Sequence, residues 1–416
     1  PCRTRDFRFP ANRARAQTMS DPRPTIRLLP KTDPRRLRQG AAWVYSNQLV
    51  MDRRTKALAA GTLVVLEDAG GSQLGLAAFN PGSKIAARIL DHDPGASVDT
   101  AWFSRRIRAA LALRERLFDT PFYRLVHAEG DGLPGVVIDR FGEAAVVQPN
   151  ATWAERHLNH LVEALIAETG VSTVLKNASG RARALEGLGD TGAVLAGGVE
   201  APVPVPMNGA IYLGDLTGGQ KTGLFYDQRP NHVFAARLAR GGTVLDVFSH
   251  VGGFALAALA GGATEALAVD GSAPALALAR EGAAQMGFAD RFATRRGDAF
   301  DTLGALAAEG RVFDTVICDP PAFAPSKQAL DAGLRAYEKV ARLAAPLVAP
   351  GGYLVLCSCS HAADLAKFRA ASLRGIGRVG RAAQLIHTGF AGPDHPQHPH
   401  LAESAYLKAL FLRLLP

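Results

Sequence analysis

Cysteine is scarce, at four in 416 residues, too few for a disulfide framework in a chain this long. Cys357 and Cys359 stand too close along one strand to bridge comfortably, so a reducing, cytoplasmic setting is expected. No apolar run approaches the roughly 20 residues of a bilayer-spanning helix, and no membrane partner is expected. The G-x-G-x-x-G signature of a dinucleotide loop is missing after the first strand of the C-terminal region. His387, His395, His398 and His400 do not follow the usual zinc spacings; residues 393–400 read as a proline-broken loop, and no metal is expected. Acidic excess is absent as well. The net charge is +9, and it is unevenly placed: residues 1–60 hold 14 Lys/Arg against 4 Asp/Glu, whereas the remainder holds 33 against 34. A basic N-terminal module on a neutral body predicts contact with a polyanion. A solvated tail accounts for part of it, because five of those arginines lie in residues 1–18. That segment precedes Met19, has no apolar core of a secretory signal, and is expected to be a disordered leader with Met19 as the start.

What is present divides the chain into modules. Residues 26–90 contain short strands separated by turn signals such as Asp68-Ala69-Gly70-Gly71. Residues 101–118 have helical spacing, with Phe103, Ile107, Leu111, Leu113 and Leu117 apolar and Arg105, Arg106, Arg108, Arg114 and Arg116 on the other face. That basic face is either solvated or in contact with nucleic acid. Strands at 123–126, 135–140, 143–148 and 173–176, with a helix over 154–168, form a small α+β unit, and residues 203–213 make a hairpin leading into the last domain. From about residue 217 strands and helices alternate, the mark of a doubly wound parallel sheet. The expected organisation is a β module over 19–95, a linker helix over 96–119, a central α+β domain over 120–215 and an α/β domain over 216–416.

The chemistry concentrates at the ends of the strands in the last domain, where open α/β sheets bind their ligands. One strand ends in Ser249-His250-Val251-Gly252-Gly253-Phe254, whose glycines let backbone approach a cofactor ahead of a helix. The next ends in Asp270, placed to accept hydrogen bonds from both hydroxyls of a cofactor ribose. With Asp246 near a charged end and Asp298 near an adenine amine, the series suggests S-adenosylmethionine, a sulfonium with no phosphate to cradle. Each aspartate alone reads equally well as a turn or a helix cap; the ordered series points to methyl transfer. Two further strands end in Asp319-Pro320-Pro321 and Cys357-Ser358-Cys359-Ser360-His361. Cys359 by itself is more easily a small core residue. Facing a carboxylate beside such a cofactor, it is what methylation of a pyrimidine carbon needs.

Further motifs join these: Lys221-Thr222-Gly223-Leu224-Phe225-Tyr226-Asp227-Gln228-Arg229, Asp319-Pro320-Pro321-Ala322-Phe323 and Ser358-Cys359-Ser360 in the last domain. Asp131-Gly132-Leu133-Pro134-Gly135 and Ile138-Asp139-Arg140-Phe141-Gly142 lie in the central one, and Trp43-Val44-Tyr45-Ser46 in the first. Together they make the chain from Met19 to Leu415 resemble the bacterial 23S rRNA cytosine-C5 methyltransferases of the PUA-domain type. The resemblance implies an N-terminal PUA RNA-binding domain, a small central α+β domain and a C-terminal Rossmann-like class I methyltransferase. It also implies S-adenosyl-L-methionine as donor and one cytosine of 23S ribosomal RNA as acceptor; a homodimer is left open. Phe225, Phe248, Ser249, Asp270, Asp298 and Asp319 would line the cofactor pocket, with Gln228, Arg229, Asp246, Gly252 and Ala299 beside them. Cys359 would be the nucleophile and Asp319 its catalytic partner. Two departures bear on the substrate side. Ala322 stands where the family usually has a basic residue, with Lys327 nearby, and His250-Val251 replace tyrosine-threonine. Ala322 is also not the second cysteine of related enzymes, so the C5 proton must leave by another route. A methyltransferase of a purine or small molecule that ignores Cys359, or a catalytically silent RNA-binding assembly factor, are the alternatives.

Overall fold

The computed structural model describes residues 23–200, 202–218 and 223–415; the expected leader, Met19, Lys221 and Thr222 lie outside them. The first sheet holds β1 (Thr25–Arg27), β2 (Trp43–Val44), β3 (Thr62–Glu67), β4 (Gln73–Phe79) and β5 (Ala87–Asp91) in the order β1-β3-β4-β5-β2. Two single-turn helices, α1 (Arg35–Arg38) and α2 (Arg53–Lys56), decorate it. The β3–β4 turn forms where Asp68 accepts hydrogen bonds from the Gly70 and Ser72 amides and Gly71 adopts a φ of +88°, a conformation that favours glycine.

Helix α3 (Thr100–Leu117) follows, its first turn capped by Asp99 accepting from the Trp102 amide. Its basic face differs from expectation. Arg114 is fully buried and makes two bonds to Asp131, at 2.6 and 2.8 Å. Arg106 lies over the Trp102 ring at 3.5 Å and pairs with Asp91. Leu113 and Leu117, expected on the apolar face, are 41% and 42% exposed. The reason is in the spacing: position 114 falls on the same stripe as Phe103, Ile107, Ala110 and Leu111, all buried, and a partnered arginine fits there because Asp131 satisfies it.

The second sheet has β6 (Phe122–His127), β7 (Val136–Phe141), β8 (Ala144–Pro149), β9 (Thr173–Lys176) and β10 (Ala193–Ala196) in the order β10-β9-β8-β7-β6. The single helix expected over 154–168 is two, α4 (Thr152–Arg156) and α5 (Leu158–Thr169), broken at His157, whose ψ of 20° leaves the helical range. A short α6 (Arg181–Leu185) precedes β10. A separate antiparallel hairpin, β11 (Val203–Met207) and β12 (Ala210–Gly214), comes next.

The third sheet is built from β13 (Thr243–Val247), β14 (Glu265–Asp270), β15 (Phe292–Arg296), β16 (Phe313–Cys318), β17 (Val348–Ser358), β18 (Ala383–Gly389) and β19 (Lys408–Leu414). Their order is β15-β14-β13-β16-β17-β19-β18. The first five are mutually parallel and β19 is antiparallel to both neighbours. Helices α7 (Arg229–Leu238), α8 (Gly253–Ala260), α9 (Ala273–Gln285), α10 (Ala299–Ala308), α11 (Leu330–Ala344) and α12 (Leu365–Gly377) accompany it. The hairpin β11–β12 lies before the expected boundary at residue 216, yet it packs with this domain: Tyr212 shares a core with Phe254 and Ala279 and donates to the Gly253 carbonyl at 3.0 Å. Strand order reverses between β13 and β16, and at such a switch point the loops after neighbouring strands diverge and leave a crevice.

Candidate active site

The crevice is a cavity of about 490 Å³, lined by residues from the ends of β13, β14, β16 and β17 and from the approaches to α7 and β19. That volume suits a small-molecule or cofactor site. Asp246, near the end of β13, is completely buried. One of its oxygens accepts from the Ala255 amide at 2.9 Å, and the other has no protein partner. Burial pushes its carboxyl up to about 7, and Asp270 adds to the shift.

The loop after β13 is tightly bent. Phe248 and His250 have φ of 64° and 51° on either side of Ser249, and Gly252 has φ of 82°. Positive φ at two non-glycine residues marks a conformation that the surroundings impose. Asp270 supplies part of that constraint: one carboxylate oxygen accepts from the His250 amide at 2.9 Å and the other from the Ser272 amide at 2.7 Å. The Ser249 hydroxyl is buried without a protein partner. His232, on α7, also faces the cavity; burial pushes it down to about 3, so it is neutral. A Cβ on Gly253 would lie 3.0 Å from the His232 ring nitrogen Nε2, so the glycine lets the loop pack closely on the ring.

Opposite this half stand Asp319 and Cys359. The Asp319 amide donates to the Val247 carbonyl at 3.2 Å, which carries the β16 end alongside β13. The Cys359 thiol is half-buried and lies 4.0 Å from the Pro320 carbonyl. The serines on either side of it are buried and bonded to Tyr337 of α11, at 2.9 Å for Ser358 and 2.7 Å for Ser360. Ser360 also accepts from the Ala324 amide at 2.9 Å. The two loops that carry Asp319 and Cys359 are thereby pinned to each other. Cys318 and Cys357 point into the core, where burial raises both thiols well above their ordinary range.

Of the residues singled out in the sequence, Phe225, Gln228, Asp246, Phe248, Ser249, Asp270, Asp319 and Cys359 line this one cavity. Four do not. Gly252 sits behind the wall, where a Cβ would meet Leu256 at 3.0 Å. Arg229 turns toward the central domain, its guanidinium over the Phe118 ring and bonded to the Phe122 carbonyl. Asp298 is an exposed cap of α10, accepting from the Phe300 and Asp301 amides, and Ala299 is packed in the core beneath. Lys327 is not on the cavity wall either. Sequence reasoning passed over Asp227, His232, Tyr406 and Leu407, which do line the cavity. The Tyr406 hydroxyl donates to Asp227 at 2.6 Å. Asp227 lies inside the motif that ends at Arg229, so its position was available; Tyr406 gave no signal because β19 reaches the site only by its antiparallel return. His395 is buried against Asp394, with 2.9 Å between Nδ1 and the carboxylate, and among the described residues no cluster could hold a metal ion.

The cavity fits S-adenosylmethionine on its own features. A buried carboxylate with a free oxygen and a raised pKa suits a cationic ligand, the unsatisfied Ser249 hydroxyl offers a further polar contact, and Asp270 stands at the strand end where ribose hydroxyls are held. Sheet order and site together define a class I methyltransferase. Residues 189–413 match the S-adenosylmethionine-dependent methyltransferase family and residues 26–92 a PUA-like domain; the cofactor is S-adenosylmethionine. The chain belongs to the family of the ribosomal RNA large subunit methyltransferase I. It is 35% identical over 395 residues to that protein from Shewanella denitrificans, covering 94% of this chain and 99% of the relative. It is 34% identical over 413 residues to a ribosomal RNA large subunit methyltransferase of Deinococcus radiodurans, covering 96% and 99%. A Streptococcus mutans protein described as a SAM-dependent methyltransferase superposes with a TM-score of 0.79 at 19% identity, over 94% of this chain and all of that one. A methyltransferase complexed with SAH does so at 0.80, with the same identity and coverage. At that identity the likeness is one of fold.

Proposed function

We propose that the protein methylates C5 of a cytosine in the 23S RNA of the large ribosomal subunit, through a covalent bond between Cys359 and C6. The observation that carries this reading is the presence of Cys359 and Asp319 on the wall of the cavity that also holds Asp246 and Asp270. The names of the relatives support the RNA substrate. Cytosine C5 is a poor nucleophile. Addition of the Cys359 thiolate to C6 pushes electron density onto C5, which then accepts the methyl group that S-adenosylmethionine supplies. Loss of the C5 proton and expulsion of the thiolate restore the ring. Asp319 holds the N3 and amino edge of the base. Asp246 faces the charged end of the donor, and Asp270 its ribose hydroxyls, each of its oxygens having further acceptor capacity. The target base leaves its stack to enter the cavity. Residues 19–95 serve as the RNA-binding module, 96–119 as the connecting helix, 120–215 as the central domain and 216–416 as the catalytic one, working in the cytoplasm.

RNA carrying 5-fluorocytosine at the target tests this, because fluorine does not leave as a proton does and the thioether persists. The adduct should survive denaturing electrophoresis and map by mass spectrometry to Cys359. Cys359→Ala should keep donor binding and lose methylation almost completely. An active Cys359→Ala enzyme, or an adduct on another cysteine, points instead to a purine or small-molecule substrate.

A further inference from the structure

Lys408 opens strand β19 in register with Ser358 and is 4% exposed. Its ammonium donates to the Ser360 carbonyl at 2.7 Å and to the Ala363 carbonyl at 2.8 Å. Those two carbonyls bracket the turn that follows Cys359. Both partners are neutral, and among the described residues no carboxylate forms an ion pair with it. A buried ammonium without a counter-ion is costly, and proteins keep such a group only where something compensates it. The negative charge that favours the protonated form of Lys408 comes first from Cys359 and then from Asp364.

We infer that Lys408 is a positioning residue for Cys359: it clamps the turn that carries the thiol, and its positive charge favours the thiolate over the thiol. This rests on the reading of Cys359 as nucleophile. The clamp has two sides. Tyr337 holds the Ser358 and Ser360 hydroxyls from α11, while Lys408 holds the Ser360 and Ala363 carbonyls from β19. Between them the Cys359 side chain remains on the cavity wall. A thiolate is the reactive form, and a nearby ammonium lowers the pKa of a thiol.

Among the described residues, the carboxylates and phenols around the thiol do not supply that charge. Asp319, on the same wall, opposes a second negative charge, and so does Asp364 at the start of α12. Tyr406 and Tyr337 are raised by burial and stay neutral near pH 7. Burial lowers Lys408 itself to about 8, so its charge is present near neutral pH and the pair titrates as a coupled unit above it.

The test is the pH profile of Cys359 alkylation by iodoacetamide, followed by peptide mapping so that the other thiols are resolved. It needs neither RNA nor turnover. The wild-type thiol should titrate below the ordinary value of about 8.5. Lys408→Gln keeps a hydrogen-bond donor and removes the charge; its alkylation near pH 7 should fall about tenfold, the profile moving up by about one unit. Lys408→Arg should restore most of the wild-type profile. In methylation assays Lys408→Gln should lower kcat and leave the KM for S-adenosylmethionine unchanged. A Lys408→Gln protein that binds S-adenosylhomocysteine normally and shows the wild-type alkylation profile overturns the proposal. If the variants do not fold, the wild-type profile decides alone: a Cys359 thiol titrating at or above about 8.5 overturns it equally. Retained methylation by Cys359→Ala would sink the nucleophile reading without moving the alkylation profile, so the two failures are distinguishable.

Discussion

Asp246 shows how far burial changes a single residue. In the sequence it is one aspartate before a glycine loop. In the structure it is sealed from water, with its pKa raised to about 7 by burial. For an acid raised in the folded state, the stabilising contribution is fully present below the unfolded value near pH 4 and is lost as pH rises through about 7. The cationic end of the donor reverses that preference by favouring the carboxylate, so binding should release a proton below about pH 7. Affinity for S-adenosylmethionine, whose sulfonium carries that charge, should therefore rise between about pH 6 and pH 8 when measured by calorimetric titration. Asp246→Asn should bind more weakly and lose that dependence. A wild-type affinity that is flat across the window would rule out Asp246 as the partner of the charged end. Asp270, Asp246 and Asp298 looked equivalent in the sequence because each sits near the end of a strand. Only the first two turn into the cavity, and Asp298 spends its carboxylate on the amides of α10.

Among the elements, α3 is the one whose role the sequence described least well. Its periodicity was legible, and with it the buried positions Phe103, Ile107 and Leu111. The same periodicity places residue 114 on the buried stripe, but an arginine there reads as surface until its partner is known. Asp131 lies 17 positions on, and the Asp394 carbonyl that also accepts from Arg114 lies 280 positions on. Arg114→Ala leaves Asp131 buried without its cation and should destabilise the protein by about 3–5 kcal/mol. Arg105→Ala, on the exposed face, should change stability by no more than about 0.5 kcal/mol. Urea titration of both variants checks the contrast; equal effects would mean that the Arg114 pair carries no special weight. Strand β18 escaped for a related reason. Four of its seven residues are exposed, so it has neither an alternating nor a continuous apolar pattern, and only its pairing with β19 makes it a strand.

At the scale of the molecule, the modules are joined by buried polar groups rather than by flexible tethers. Glu186 receives bonds from Asn80, Ser83 and Arg88 of the N-terminal module, and Glu129 from Trp43 and Arg88. Leu76, Ala78 and Leu90 belong to the same apolar cluster as Trp102 and Trp153. Cutting away residues 1–95 would strip these groups of most of their partners, leaving Glu186 with Thr152, so the RNA-binding role is better tested by point substitutions. Arg35, Arg36, Arg53 and Arg54 are exposed on the PUA-like module. Their joint replacement by alanine should weaken rRNA binding and make its salt dependence shallower, by up to about 0.9 for each phosphate that is no longer neutralised. Donor affinity should stay unchanged. Filter binding at several salt concentrations measures this, with a chain starting at Met19 as the comparison. If the salt slope drops with the shortened chain and not with the substitutions, the tail and not the PUA-like module binds the phosphates.

The sequence by itself determined the alternation of strands and helices from β13 to β16, the glycine loop, the strand-end aspartates and the thiol after β17. These are local signals, carried by hydrophobic periodicity and by residues that must sit at chain reversals. It also determined the division into a basic β module and a neutral body, because charge is additive along the chain. Only the tertiary structure decided which strand-end side chains share a cavity, that Arg229 and Asp298 turn away from it, and that Tyr406 and Leu407 reach it just ahead of the last strand. Those outcomes depend on antiparallel pairing between β17 and β19 and on burial. Both are properties of distant segments brought together, and no window of sequence contains them.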